Sequence, residues 1–273
     1  MVLTILGSAA AEGWPALFCH CDVCREARRL GGKDVRRRTS YRLGDHVQID
    51  WGPDTYAASV ALGLDTSALT ELVVTHSHED HLTPHELWYR RPGFSLVPED
   101  AILTIHGSEQ VEQALHTHTT DDAYFRLRVN VLEPYREQAL PDGLTVTPLP
   151  AAHAEGLGGA LNFIFRRQGR SLLIGNDTGW WAQEVWDLLA GAGLDLVLMD
   201  CTYGARPDRG GHLGAPDVVE VKQELTASGA LADNCRFVAN HFSHNGGWLH
   251  AELEAFLNPH GIEVGYDGMT LTL

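Results

Sequence analysis

No stretch of this 273-residue chain is apolar for long enough to cross a membrane as a helix, and no repeat or low-complexity linker interrupts it. Positive charge is scarce too. Twenty Lys and Arg stand against 36 Asp and Glu, a formal net charge of −16. Broad binding to nucleic acid or to an anionic membrane needs a basic surface, so neither is expected. A small anionic ligand stays possible, because local cations can outweigh the global sign. The opening Met1–Gly7 lacks the basic start and long apolar stretch of a signal peptide and reads as a first strand, which makes the cytoplasm the expected location. Cysteine is sparse: five residues, an odd number. Three of them crowd into Cys19-His20-Cys21-Asp22-Val23-Cys24, which suggests metal before disulfide.

What the chain does have is an ordinary globular composition, 44% hydrophobic and 21% charged, with no clear internal boundary. Residues 1–273 therefore read as one domain with a cysteine loop near 18–25. Its most informative string is Thr75-His76-Ser77-His78-Glu79-Asp80-His81, directly after the apolar run Leu72-Val73-Val74. That run reads as a buried strand, which places the string on the loop at its C-terminal end. His76 and His78 alternate from an extended backbone and can reach one ion together. Asp80 and His81, at the following turn, can hold a second. A pair of ions clamps both the attacking and the departing oxygen of a hydrolysis. The bland alternative is a solvated polar loop.

Further strands are expected at Leu3–Leu6, Tyr41–Leu43, Val47–Ile49, Ala101–Ile105 and Leu144–Pro148, with a hairpin of Leu161–Phe165 and Ser171–Ile174. Helices are expected at Asp54–Leu62 and Ser108–Leu115, capped by Asp54 and Ser108. Helix Trp180–Leu189, strand Leu196–Met199, helix Ala215–Leu225, strand Arg236–Ala239 and helix Leu249–Phe256 precede closing strands Ile262–Val264 and Met269–Leu273. Hairpins first and alternation later suggest a β-sandwich covered by helices on both outer faces. Three more candidate ligands follow apolar runs: His153, Asp177 and His241. One such residue is usually a cap; three at strand exits, added to the first string, make a site for two divalent cations.

With these residues in place, the chain resembles the metallo-β-lactamase superfamily, whose H-x-H-x-D-H pattern is followed by a distant His, Asp and His. The resemblance implies an α/β, four-layer αββα sandwich. It implies that His76, His78 and His153 hold one ion, that Asp80, His81 and His241 hold the other, and that Asp177 bridges them. Asp50, in Ile49-Asp50-Trp51-Gly52, matches a family position that supports the site from behind; a strand-end turn residue is the other reading. Cys19, Cys21 and Cys24 lack a fourth ligand, and His244, three residues after His241, can supply it to a structural zinc. His20 is the rival fourth ligand, awkwardly placed between two of the cysteines.

This added cluster makes the chain similar to the phosphoribosyl cyclic phosphodiesterase family of phosphonate breakdown, accessory to the carbon–phosphorus lyase pathway. Gly7-Ser8, Pro15, Phe18, Val197-Leu198-Met199-Asp200-Cys201 and Glu263-Val264-Gly265-Tyr266-Asp267-Gly268-Met269 also match. The likeness implies Mn2+ or Zn2+ in the active site, a structural Zn2+, a small anionic cyclic phosphodiester as substrate, and His212 as general acid. The rival reading of His212 is a cap of the next helix. The chain departs from the family after His81, where Trp88-Tyr89-Arg90-Arg91-Pro92-Gly93-Phe94 offers either a phosphate-binding wall or a packed surface helix. Other expectations are hydrolysis of a thioester, lactam or RNA, or a cofactor-biosynthesis protein of the same fold with a redox metal. A homodimer is possible.

Overall fold

Along Leu172–Ile174 every side chain is apolar and fully buried, yet successive residues enter different cores. Leu172 and Ile174 pack between two sheets, whereas Leu173 packs outward against helices. Leu196, Val197, Leu198 and Met199 repeat the alternation. A strand buried on both faces needs a layer on each side, and a continuous apolar run is its signature. These strands belong to a four-layer αββα sandwich, seen in a computed structural model that describes residues 1–119, 121–153 and 159–273.

In chain order the first sheet is built from β1 (Val2–Gly7), β2 (Ser40–Leu43), β3 (Val47–Ile49), β4 (Glu71–Val73), β5 (Leu103–Gly107) and β6 (Leu127–Val131). The second is built from β7 (Gln138–Ala139), β8 (Thr145–Pro150), β9 (Leu161–Arg167), β10 (Arg170–Gly175), β11 (Leu194–Asp200), β12 (Leu231–Asn240) and β13 (Ile262–Val264). The last strand, β14 (Thr270–Thr272), returns to the first sheet beside β1. The two orders are β14-β1-β2-β3-β4-β5-β6 and β13-β12-β11-β10-β9-β8-β7. Helices α1 (Asp22–Leu30), α2 (Thr55–Leu62), α3 (Glu109–His116), α4 (Asp122–Phe125), α5 (Gln183–Leu189), α6 (Ala215–Ala227) and α7 (His250–Leu257) accompany them.

Between the sheets lie Leu3, Ile5, Ile49, Val73, Phe163, Phe165, Leu198 and Val238. Val185, Val218, Val221, Leu225 and Leu253 of α5, α6 and α7 cover the second sheet, and Val111 and Leu115 of α3 cover the first. Strand direction then fixes where function gathers. β3, β4 and β5 are parallel; β10, β11 and β12 are parallel; β8 runs with β10 because each is antiparallel to β9. The C-terminal ends within each group therefore open on a common edge, where loops converge.

The elements expected from sequence are present, with shifted ends and corrected caps. Asp54 precedes α2 but does not cap it, because its carboxylate accepts the Arg38 amide at 2.9 Å and guanidinium at 3.0 Å. Ser108 occupies the N-cap position of α3 without a side-chain capping bond. α5 starts at Gln183, later than expected, and Trp180 and Trp181 pack against Trp186 before the helix begins, Trp181 edge to face. Helix α1 and strand β6 were not expected.

Candidate active site

Each candidate ligand sits just beyond a strand end: Asp50 after β3, the 76–81 string after β4, His153 after β8, Asp177 after β10 and His241 after β12. Ligand atoms of His76, His78 and His153 lie within 4.8 Å of one another, as do those of Asp80, His81 and His241. Between these triads stands Asp177. Its Oδ2 is 3.1 Å from both His81 Nε2 and His241 Nε2, and its Oδ1 is 4.0 Å from His153 Nε2.

The loops reach this geometry through backbone conformations that L-residues seldom adopt. Asp50, Asp177 and His241 have φ of +61°, +47° and +62°, each costing about 1–2 kcal/mol. The surrounding hydrogen bonds hold them there. Trp51 N donates to His81 O at 2.7 Å and Thr83 N to Trp51 O at 2.7 Å. Gly52 permits this approach, since a Cβ there would stand 1.9 Å from the Asp80 carbonyl oxygen. Tyr41 ties two other exits together: its buried hydroxyl accepts the side-chain amides of Asn176 and Asn240, the residues just before Asp177 and His241.

The outer nitrogens of the histidines reveal the tautomers. His153 Nδ1–H donates to the Gly211 carbonyl at 3.0 Å, and His81 Nδ1–H to Asp50 Oδ2 at 2.7 Å. The Gly211 carbonyl carries no proton and burial lowers the His153 imidazole, so its Nε2 turns a lone pair inward; burial opposes charge on His81 as well, yet Asp177 and Asp80 hold that ring well above the usual histidine range. Asp50 is itself fixed by the Thr75 amide at 2.8 Å and hydroxyl at 2.9 Å. His241 Nδ1 meets Thr202 Oγ1 at 2.8 Å. Burial and the surrounding imidazoles hold His76 well below the usual histidine range, so its ring is neutral. Burial opposes charge on Asp80 and Asp177, yet His81 and His241 keep both carboxyls well below the usual carboxylate range.

A cation fits these donors. Among the described residues His81 Nε2, His241 Nε2 and Asp177 Oδ2 are buried without a hydrogen-bond partner, although each histidine nitrogen stands 3.1 Å from the carboxylate oxygen. Converging polar atoms left without partners are costly, and a cation among them would satisfy all three. The ligand types, imidazole and carboxylate, suit Zn2+ or Mn2+.

His212 reaches the same edge from the loop after β11. A ring nitrogen lies within 4.8 Å of ligand atoms on His153 and Asp177. Its Nδ1 lies 2.8 Å from Asp200 Oδ2 and 3.2 Å from Thr202 Oγ1. Burial works against protonation, but Asp200 outweighs it and raises this imidazole to about 9. The helix-cap alternative fails, because Gly214, not His212, takes the N-cap position of α6. Sequence reading missed Asp200, Thr202 and Thr75 as functional residues; only their position beside apolar strand ends hinted at them.

The cysteine cluster also closes. Cys19, Cys21, Cys24 and His244 bring their ligand atoms within 4.8 Å of one another, while His20 is exposed. His244 Nδ1 lies 3.6 Å from Cys19 Sγ and 3.5 Å from Cys21 Sγ. Zinc bonds of about 2.3 Å to sulfur and about 2.1 Å to nitrogen, at the tetrahedral angle, set that edge at about 3.6 Å. Backbone amides point at all three sulfurs: Cys21 N at Cys19, Cys24 N at Cys21 and Ala16 N at Cys24. Burial opposes ionisation of Cys21, yet the Cys24 amide and His244 bring its thiol down to about 6, while burial pushes the Cys24 thiol up to about 12. The Glu12 carboxylate lies 3.5 Å from His244 Nε2 and also accepts the Ser243 hydroxyl.

The aromatic and basic stretch after His81 forms no phosphate wall through Arg90, which donates to the carbonyls of Ala101, Phe125 and Arg126. Arg91 lies 4.5 Å from the ring centroids of both Trp88 and Phe94, on an exposed surface.

Known proteins resemble this chain along much of its length. The chain is 27% identical to an octanoyltransferase of Porphyromonas gingivalis over 97% of its own length but only 50% of that protein, so it spans half of that relative. It is 27% identical to coenzyme PQQ synthesis protein B of Cupriavidus necator, covering 99% of both chains. A crystal structure of a diphosphatase from the PhnP family superposes with a TM-score of 0.76 at 23% identity, over 99% of this chain and 96% of that one. The model of the beta-lactamase superfamily domain matches residues 16–232, which hold β2 to β11 and all but two of the ligand positions, His241 and His244. With its His-x-His-x-Asp-His string on the exit of β4 and Asp177 between two triads, the chain belongs to the metallo-β-lactamase superfamily.

Proposed function

We propose that the protein is a metal-dependent phosphodiesterase that hydrolyses a small cyclic phosphodiester, with a phosphoribosyl 1,2-cyclic phosphate as the preferred substrate. The observation that carries this reading is the Asp200–His212 pair at the edge of the ligand cluster. Opening a phosphodiester expels an alkoxide, whose departure needs a proton. A thioester expels a thiolate, which leaves without one.

His76, His78 and His153 would hold one divalent cation and Asp80, His81 and His241 a second, with Asp177 facing both. Such cations, when bound, lower the pKa of water and withdraw charge from a phosphoryl oxygen. The chain's own groups do the rest. Asp177 accepts a hydrogen bond from the attacking water and sets its line of approach. Asp50, Thr202 and Gly211 fix the rings of His81, His241 and His153, so the centre does not reorganise during reaction. His212 delivers its proton to the departing oxygen, and Asp200 stabilises the charged imidazole beforehand.

A structural zinc on Cys19, Cys21, Cys24 and His244 would hold the 241–244 loop, and with it His241, against the N-terminal segment. Turnover of an aryl phosphodiester, a β-lactam and a glutathione thioester, with and without chelator, tests the class. Chelator-sensitive cleavage of the diester alone is expected; cleavage of only the lactam or thioester would overturn it. The likeness to coenzyme PQQ synthesis protein B over the whole of both chains favours a second reading, a cofactor-biosynthesis protein with a redox metal. Iron as the metal that restores activity would favour it.

A further inference from the structure

Tyr203 and Arg206 stand on the turn that leaves β11, between His212 and the loop that carries His244. Backbone bonds fix this turn on every side. Tyr203 N donates to Leu213 O at 3.0 Å, Ala205 N to Gly246 O at 2.9 Å, Arg206 N to Tyr203 O at 2.8 Å and Ala215 N to Gly204 O at 2.7 Å. Gly214 lies so close that a Cβ there would be 1.9 Å from Arg206 O. A turn this constrained presents its side chains from a rigid frame.

Those side chains form a short series leading away from the acid. The Tyr203 ring meets His212 edge to face, with centroids 5.8 Å apart. The Arg206 guanidinium lies over the Tyr203 ring, 5.2 Å from its centroid. The neighbouring Arg209 is fully engaged: it stacks on Trp180 at 4.3 Å and pairs with Asp217 at 3.0 Å and Glu220 at 2.5 Å. Arg206 makes no ion pair among the described residues and is exposed. A guanidinium held beside an aromatic face and free of a carboxylate partner keeps its N–H donors for an incoming anion such as a phosphate.

We propose that Tyr203 and Arg206 form a recognition subsite for a second anionic group on the substrate, a phosphate carried on the sugar whose oxygen His212 protonates. This deepens the phosphodiesterase reading and rests on it. The aromatic face packs against the sugar, and Arg206 takes the remote phosphate. In a chain of net charge −16, such a group needs a local cation to approach at all.

The test compares ribose 1,2-cyclic phosphate with and without a 5-phosphate. Arg206→Met should raise KM for the 5-phosphorylated compound about tenfold with little change in kcat, and its preference over the unphosphorylated one should fall by the same factor. Arg206→Lys should restore part of the preference. An equal loss on both compounds, or none on either, would overturn the subsite. If the native protein cleaves neither compound, the phosphodiesterase reading fails by itself, and calorimetric titration with ribose 5-phosphate and ribose decides the subsite. Selective binding of the sugar phosphate, weakened about tenfold by Arg206→Met, would sustain it. Equal binding by both proteins, or none by the native one, would remove it.

Discussion

Asp200 Oδ2 lies 2.8 Å from His212 Nδ1, and the same oxygen is 3.6 Å from His241 Nδ1. One buried carboxylate thus stands behind both a candidate metal ligand and the candidate acid. Thr202 does the same with its hydroxyl, at 2.8 Å from His241 Nδ1 and 3.2 Å from His212 Nδ1. The candidate proton donor and a candidate metal ligand thus share their partners at one strand end.

Asp200→Asn keeps the shape of this contact and removes the charge. Turnover of a phosphodiester should fall about 100-fold or more, the usual size of an acid–base contribution. Metal content by mass spectrometry should hold. Because Asp200 acts through His212, Asp200→Asn combined with His212→Ala should be little worse than His212→Ala alone. Additive losses would separate the two residues.

Tyr41→Phe should destabilise the protein by about 2–4 kcal/mol, since two buried amide groups lose their acceptor. Among the described residues Asn176 Oδ1 and Asn240 Oδ1 already lack partners, so neither side chain has an easy alternative. Urea denaturation measures the loss. A change below about 0.5 kcal/mol would show that the tyrosine does not tie β10 to β12.

His250 makes stability depend on pH. Burial, and then Arg36, depress its imidazole to about 4. Arg36 NH2 donates to His250 Nδ1 at 2.8 Å, and His250 Nε2 faces Glu254 at 3.0 Å. In the unfolded chain histidine takes up a proton near pH 6.5, before the folded form does. This contribution is therefore whole above about pH 6.5 and is lost as pH falls toward 4, on the order of 3 kcal/mol in total. His250→Gln keeps an acceptor for Arg36 and should flatten that part of the curve. Parallel curves for the two proteins would contradict the assignment.

Much of this was readable because chemistry followed hydrophobic pattern. The runs at Leu72-Val73-Val74 and Leu172-Leu173-Ile174 mark strands buried on both faces, and the ligands follow them directly. Helix α1 escaped notice because only Cys24 and Ala27 are buried along it, and neither is a strong apolar signal. Strand β6 does alternate in Leu127-Arg128-Val129-Asn130-Val131, but as an edge strand it buries only Leu127. Asp200 and Thr202 acquire roles only when β11 lies beside β12, a pairing between residues 40 positions apart such as Asp200 and Asn240. The Asp54 cap was lost to Arg38, a tertiary partner that local sequence does not announce.

Cys21→Ser should remove about one metal equivalent from the purified protein and lower its melting temperature, because the thiol stands 3.5 Å from His244 in the four-ligand group. Zinc release by a thiol-reactive mercurial, followed with a chromogenic chelator, reads the same site in the native chain. An unchanged metal count in the variant would remove the structural ion.

The most direct measurement is phosphorus NMR of ribose 1,2-cyclic phosphate 5-phosphate incubated with metal-reconstituted protein. The cyclic diester resonance should disappear while a second monoester resonance grows, and His212→Ala should slow both. A cyclic resonance that persists, while the same preparation consumes a lactam or thioester, would contradict it.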